Sequence, residues 1–149
     1  MKISLVCSSG GHFFQLYSLK EFWQEFDHYW ITFPGYDTKT LLQNEKVYWA
    51  YYPTNRNIPI FFRNIALAIK ILRDNRPDMI ISTGAGVAVP FLFIAKLHGV
   101  KTVYVESLTR INDLSMTGKM VYPFVDELLV QWPEMEKRYP KAKFRGQVI

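Results

Sequence analysis

The chain has 149 residues, 49% apolar and 16% aromatic, which excludes a disordered or low-complexity protein and is enough for one domain with a full core. Its single cysteine, Cys7, excludes an internal disulfide and a thiolate-rich metal site, and suits a reducing compartment. Lysine and arginine outnumber the acids 18 to 13, a modest basic excess that fits a solvated face, phosphorylated ligands, nucleic acid or anionic lipid.

Lys119, Lys137, Arg138, Lys141, Lys143 and Arg145 crowd toward the C-terminus. No secretory signal pattern follows Met1. The longest uncharged central run, Val87–Ala95, falls far short of the roughly 20 residues that a helical membrane span needs. The expectation is a chain with no transmembrane helix.

Ile3–Cys7 reads as a buried strand. Residues 12–26 carry Phe13, Leu16, Leu19, Phe22, Trp23 and Phe26 at helical spacing, which predicts one amphipathic helix. Tyr29–Phe33 is a second strand, and Asp37 is placed to cap a short helix through Leu42. Val47–Tyr52 is a third strand. Ile58–Asn75 is a long helix with Pro59 in its first turn, where a missing amide donor costs little. Asp78–Ser82 and Lys101–Val105 are strands flanking a helix of about Pro90–Leu97, which Gly99 closes. Glu127–Gln131 is a further strand, and residues 143–149 begin another.

This alternation predicts an α/β domain over residues 1–149. It is a doubly wound, mostly parallel, Rossmann-like sheet with helices on both faces. Ligands of such sheets bind beyond the carboxyl ends of the strands, so the loops after Cys7, Phe33, Ser82 and Val105 are the candidate site.

The first of these loops, Ser8-Ser9-Gly10-Gly11-His12, opens a helix. Its backbone amides and the positive end of the helix dipole favour an anion such as diphosphate. It lacks the lysine and spacing of a Walker loop. His12 is either an idle surface imidazole or a general base at neutral pH. The second loop, Ser82-Thr83-Gly84-Ala85-Gly86, repeats the device, and Glu106 follows the next strand. That is the outline of a dinucleotide fingerprint, but Val89 stands at the third glycine position.

In the third loop, Glu106 holds either a ligand hydroxyl or a loop amide, and Arg110 holds phosphate or pairs with Glu106. Thr117-Gly118-Lys119 is a further phosphate contact in this reading. The 58–75 helix is apolar around most of its girth, with Arg63, Lys70, Arg73 and Asp74 on a narrow stripe. Such a helix is either core or has a second contact, with a partner or a membrane surface through Phe61, Phe62, Arg63, Lys70 and Arg73.

The motifs SSGGH, ISTGAGVAVPF, VYVESLTRINDLSMTGKMVYP, LLVQWPE and FRGQVI, in this order, resemble one family. It comprises the acceptor-side subunits of split GT-B glycosyltransferases. Members are the membrane-anchor subunit of the eukaryotic dolichol-pathway UDP-GlcNAc transferase and bacterial PssD, EpsE and CpsF proteins of exopolysaccharide and capsule synthesis.

The resemblance implies the N-terminal half of a GT-B fold, similar to the acceptor domain of MurG. It implies a separate donor-side catalytic subunit that binds the UDP-sugar, and a polyprenyl-diphosphate-linked sugar as acceptor at the cytoplasmic face of the membrane. It places acceptor binding on Ser9, Gly10, Gly11, Gly84, Gly86, Glu106 and Arg110, with His12 as the base. No metal and no cofactor are called for. The chain departs from eukaryotic members in starting directly on a strand, so membrane attachment is expected through the 58–75 helix. Its first loop also lacks the fuller glycine run of MurG.

Three functions follow for testing: half of an inverting hexosyltransferase with little activity alone, a non-catalytic docking scaffold, or a small NAD-binding Rossmann protein. Nucleic-acid binding is not expected, since no RRM, KH or helix-turn-helix signature is present.

Overall fold

Residues Lys2–Cys7 (β1) lie in the middle of the sheet because both of their faces are apolar. Ile3, Leu5 and Cys7 enter one core, with Phe13, Leu16, Trp23 and Trp30; Val6 enters the other, with Ile71, Leu72, Phe91 and Leu92. The computed structural model describes residues 1–148. After β1 come α1 (Gly11–Tyr17), α2 (Lys20–Trp23), β2 (Asp27–Thr32), α3 (Tyr36–Leu41), β3 (Val47–Trp49) and α4 (Ile58–Asn75). The second half holds β4 (Met79–Gly84), α5 (Ala88–Leu97), β5 (Lys101–Val105), α6 (Met116–Val121), β6 (Glu127–Val130), α7 (Glu134–Arg138) and β7 (Ala142–Phe144).

Seven strands form one sheet in the order β3-β2-β1-β4-β5-β6-β7, and every pairing is parallel. The predicted doubly wound α/β architecture is the observed one. α4 returns the chain from the β3 edge to β4, directly beside β1. α5 is buried along most of its length and packs between α4 and α6, so its nearly continuous apolar sequence is core.

The long helix lies at Ile58–Asn75 as expected. Asn57 caps it by accepting from the Ile60 amide at 3.1 Å. Two buried asparagines pin it to the sheet edge. Asn64 accepts from the Tyr51 amide at 3.0 Å and donates to the Tyr51 carbonyl at 3.1 Å, while Asn75 accepts from Lys46 Nζ at 2.8 Å.

Three expectations fail, each for a local reason. The single helix over 12–26 is two, α1 and α2. Ser18 Oγ donates to the Gln15 carbonyl, and the buried Trp23 indole N–H needs a partner, which the Leu16 carbonyl at the break supplies at 3.2 Å. The break lets Trp23 meet Trp30 edge-on, with ring centroids 5.3 Å apart. Gly35, not Asp37, is the N-cap of α3; Thr38 Oγ1 accepts from the Gly35 amide at 2.9 Å. Asp37 lies within the first turn, where one carboxylate oxygen accepts from the Thr38 amide at 2.8 Å, as expected of a first-turn acid, while the other reaches back to the first loop. β3 stops at Trp49, because the Tyr51 backbone pairs with Asn64 rather than with a strand. Thr117-Gly118-Lys119, read as a further phosphate contact, lies inside α6, where Ser115 caps the Gly118 amide at 3.0 Å, and Thr117 lines the larger cavity of the candidate site. The strand expected to begin at residue 143 is β7, and Ile149 lies outside the described residues.

Candidate functional site

The sheet order reverses between β1 and β4, and the loops that leave these two strands diverge over a crevice. Cys7 pairs with Gly84, and the Ser8 amide donates to the Gly84 carbonyl at 3.1 Å, so the two glycine-bearing loops are fastened at their roots. His12 sits across this seam. Its Nδ1 lies 2.8 Å from the Thr83 carbonyl, which can only accept, so Nδ1 carries a proton and the neutral tautomer selected here is the one with its lone pair on Nε2. Thr83 Oγ1 returns a hydrogen bond to the His12 carbonyl at 2.6 Å. Two bonds between the same two residues therefore fix both tautomer and position.

Gly84 makes this possible. Its φ is +114°, and a Cβ there would lie 2.9 Å from both Cε1 and Nδ1 of the imidazole and 3.3 Å from the Tyr104 hydroxyl. His12 and Tyr104 thus converge over the same bare backbone. Burial and then the neighbouring Glu106 push the Tyr104 phenol well above its ordinary value, so it stays a neutral donor.

Glu106 is buried, 1% exposed. One carboxylate oxygen accepts from the Ser107 amide at 2.9 Å; the other accepts from the amide and the hydroxyl of Ser115, each at 2.9 Å. Of the two roles open to it in the sequence, the structure shows the loop-amide one. The pairing of Arg110 with Glu106 does not form among the described residues; Arg110 is exposed. Glu106 is instead the staple of the β5–α6 loop, and Gly118 is required because a Cβ there would collide with its Oε2.

Two cavities meet at His12. The larger, about 830 Å³, has His12, Tyr104, Ser115 and Gly86 on its floor and flank. Its walls are Ile58 and Phe61 of α4, Val89 of α5, and Met116 and Met120 of α6, with Arg56 and Arg110 at its sides. The smaller, about 670 Å³, lies between α1 and the 107–109 loop and includes Gly11, Phe14, Gln15 and Val148. Ser107 and Thr109 line both.

The structure brings together His12, Gly11, Gly84, Gly86 and Arg110 of the predicted site. It holds Ser9 and Gly10 apart: neither lines either cavity, and the Gly10 amide donates to Asp37 Oδ2 at 2.8 Å. On α4, Phe61 turns inward to the cavity, whereas Phe62, Arg63, Lys70 and Arg73 are exposed. Sequence reasoning missed Arg56, Tyr104, Met116 and Met120. The two methionines stood in a stretch read as a loop, and no spacing rule links residue 56 to residue 110.

No helix among the described residues is long and apolar enough to cross a membrane. No group of potential metal ligands occurs among them.

Comparison with known proteins bears on this geometry. The model of the family described as "Oligosaccharide biosynthesis protein Alg14 like" matches residues 52–148, more than half of the chain. This range takes in both walls of the larger cavity but not the His12 loop. Among curated relatives, the UDP-N-acetylglucosamine transferase subunit ALG14 of Yarrowia lipolytica is 34% identical over 92 residues, 58% of this chain and 43% of the relative. The human subunit of the same name is 34% identical over 89 residues, 56% and 41% respectively. That of Schizosaccharomyces pombe is 44% identical over 77 residues, 48% and 37%. The matches thus span well under half of these relatives' length.

Among solved structures, MurG of Acinetobacter baumannii superposes with a TM-score of 0.74 at 18% identity over 90% of this chain and 43% of that one. UDP-GlcNAc 2-epimerase of Methanocaldococcus jannaschii does so with a TM-score of 0.77 at 12% identity over 99% and 46%. Both likenesses concern the fold, a Rossmann-like half of the GT-B type. With the sequence match over residues 52–148, the chain belongs to the Alg14-like family of oligosaccharide biosynthesis proteins.

Proposed function

We propose that the chain is the acceptor-binding subunit of a two-chain UDP-sugar glycosyltransferase that extends a sugar on a polyprenyl diphosphate. The observation that carries this reading is the larger cavity. It joins an apolar channel between α4 and α6 to a histidine with a free Nε2, which suits a ligand that is lipid at one end and sugar at the other. The relatives' printed name, a UDP-N-acetylglucosamine transferase subunit, supports a partner that supplies the donor half. The bacterial proteins that the sequence resembles make capsule and exopolysaccharide, and we assign the chain to that kind of pathway.

The exposed rim supports action at the inner face of the cytoplasmic membrane. Ile58 and Met116 are each 70% exposed and Phe62 is 63% exposed, with the exposed base Arg63 next to Phe62 and the exposed Lys70 and Arg73 further along α4. The cavity is therefore edged by the exposed apolar side chains Ile58 and Met116, which suits entry of a lipid-linked acceptor from a membrane surface. In the transfer, the acceptor hydroxyl oxygen attacks the anomeric carbon, the bond to UDP breaks, and His12 Nε2 takes the hydroxyl proton.

Co-expression with a donor-side subunit and assay on a lipid-diphosphate sugar with a panel of UDP-sugars tests this. Activity is expected from the pair and little or none from the chain alone. His12→Ala is expected to lower kcat by about 100-fold or more with the complex intact. An unchanged kcat would assign the chain to the docking-scaffold role, and robust turnover by the chain alone would refute the split enzyme. The NAD reading loses its ribose-binding acid, since Glu106 is committed to its own loop.

A further inference from the structure

The glycine loop is a poor seat for the acceptor's diphosphate. Its Gly10 amide is already taken by Asp37, whose carboxylate repels a second anion, and neither Ser9 nor Gly10 faces a cavity. The larger cavity offers two cations instead. Arg56 stands in the turn before α4 and Arg110 in the loop after β5, on different walls of the same space. Neither guanidinium has an ion-pair or hydrogen-bond partner among the described residues, although Arg73 and Arg138 approach Asp74 and Asp113.

The acids of the Arg110 loop are engaged elsewhere. Glu106 is buried on Ser107 and Ser115, and Asp113 is held by Tyr139 and Lys119. No acidic residue among the described residues lines the cavity. Arg56 keeps a left-handed backbone, φ +50°, a conformation uncommon for a residue with a side chain. The same cavity is lined by Ile58, Phe61, Val89, Met116 and Met120, which would shelter a hydrocarbon chain.

We infer that Arg56 and Arg110 form a two-sided clamp for the diphosphate of an isoprenoid ligand, with the chain lying over Ile58, Phe61, Met116 and Met120. Each guanidinium presents a planar fork of donors to phosphate oxygens, and two forks from different segments of the cavity lining match the two phosphates. The sugar beyond the diphosphate then lies on the His12 side of the cavity. The clamp rests on the acceptor-binding reading above and moves the anion away from the first loop.

Calorimetric titration of the full chain with farnesyl diphosphate, farnesol and inorganic diphosphate tests it. Farnesyl diphosphate is expected to bind more tightly than either of the others. Arg56→Gln and Arg110→Gln are each expected to weaken it by roughly tenfold, and the double variant further. Farnesol binding and the urea midpoint are expected to stay unchanged, and Arg145→Gln, outside the cavity, controls for net charge.

Farnesyl diphosphate binding that survives both substitutions overturns the clamp and leaves the acceptor-binding reading standing. Equal affinity for inorganic and farnesyl diphosphate overturns the isoprenoid assignment. No binding of farnesyl diphosphate by the unmodified chain overturns the clamp and the acceptor-binding reading together.

Discussion

Gly84 carries two constraints at one position, a φ of +114° and an imidazole stacked where its Cβ would be. Gly84→Ala therefore has to strain the backbone and displace His12 together. The expected loss of stability is about 2 kcal/mol, read by urea denaturation. The same variant should shift the His12 ring resonances in NMR, because the Nδ1 bond to the Thr83 carbonyl must lengthen. A variant that keeps both stability and resonances would show that the imidazole does not depend on the bare glycine. The sequence marked Gly84 and His12 as candidates separately. Their contact joins residues 72 positions apart, and only the closure of β1 onto β4 creates it.

Among elements, the β5–α6 connection shows how a charged residue can be structural. Glu106 accepts three hydrogen bonds, from Ser107 and Ser115, and meets no cation among the described residues. In Glu106→Gln one end of the side chain becomes a donor facing donors. The expected cost is about 2–3 kcal/mol. It should appear with faster hydrogen exchange at the Ser107 and Ser115 amides, and an unchanged exchange pattern would remove the staple. Sequence periodicity placed α4 with its proline and C-terminus intact, because eighteen residues of alternating burial leave a clear trace. It missed α6 and α7, of six and five residues, since so short a helix has no full repeat to read. It also fused α1 with α2, because the apolar spacing continues through a break set by the Trp23 indole.

At the scale of the whole molecule, the end of the sheet remote from the cleft is stitched by Asp126. Its carboxylate accepts from Lys96 of α5 at 2.6 Å and from the amide and hydroxyl of Thr102 at 2.8 and 3.1 Å. The Lys96 bond, reinforced by Thr102, holds its pKa below the ordinary 3.8. A folded-state pKa below the unfolded one means that the unfolded chain binds more protons in acid. The contribution is thus complete above the unfolded value and is lost as pH falls through the lower folded value. Asp126→Asn is expected to flatten the fall of the urea midpoint with pH below about 4. An unaltered slope would place the acid-labile contact elsewhere. The side chain is partly exposed, so solvent screening keeps the effect modest.

The sequence by itself determined the fold class, the places of most strands, the long helix and the loops that would carry the site. These follow from local periodicity and from the rule that parallel α/β sheets bind ligands at their carboxyl ends. It also placed His12, Gly84, Gly86 and Arg110 at the loops beyond the carboxyl ends of the strands, where the structure has them. Only the tertiary structure decided what each of these residues faces. Asp37 joined the first turn of α3 to the Gly10 amide, and Glu106 became the buried staple of its own loop. Arg56 came to line the same cavity as Arg110. The physical reason is shared by all of them. A hydrogen bond or a cavity wall between residues dozens of positions apart depends on strand order, and strand order leaves no periodic trace in the chain.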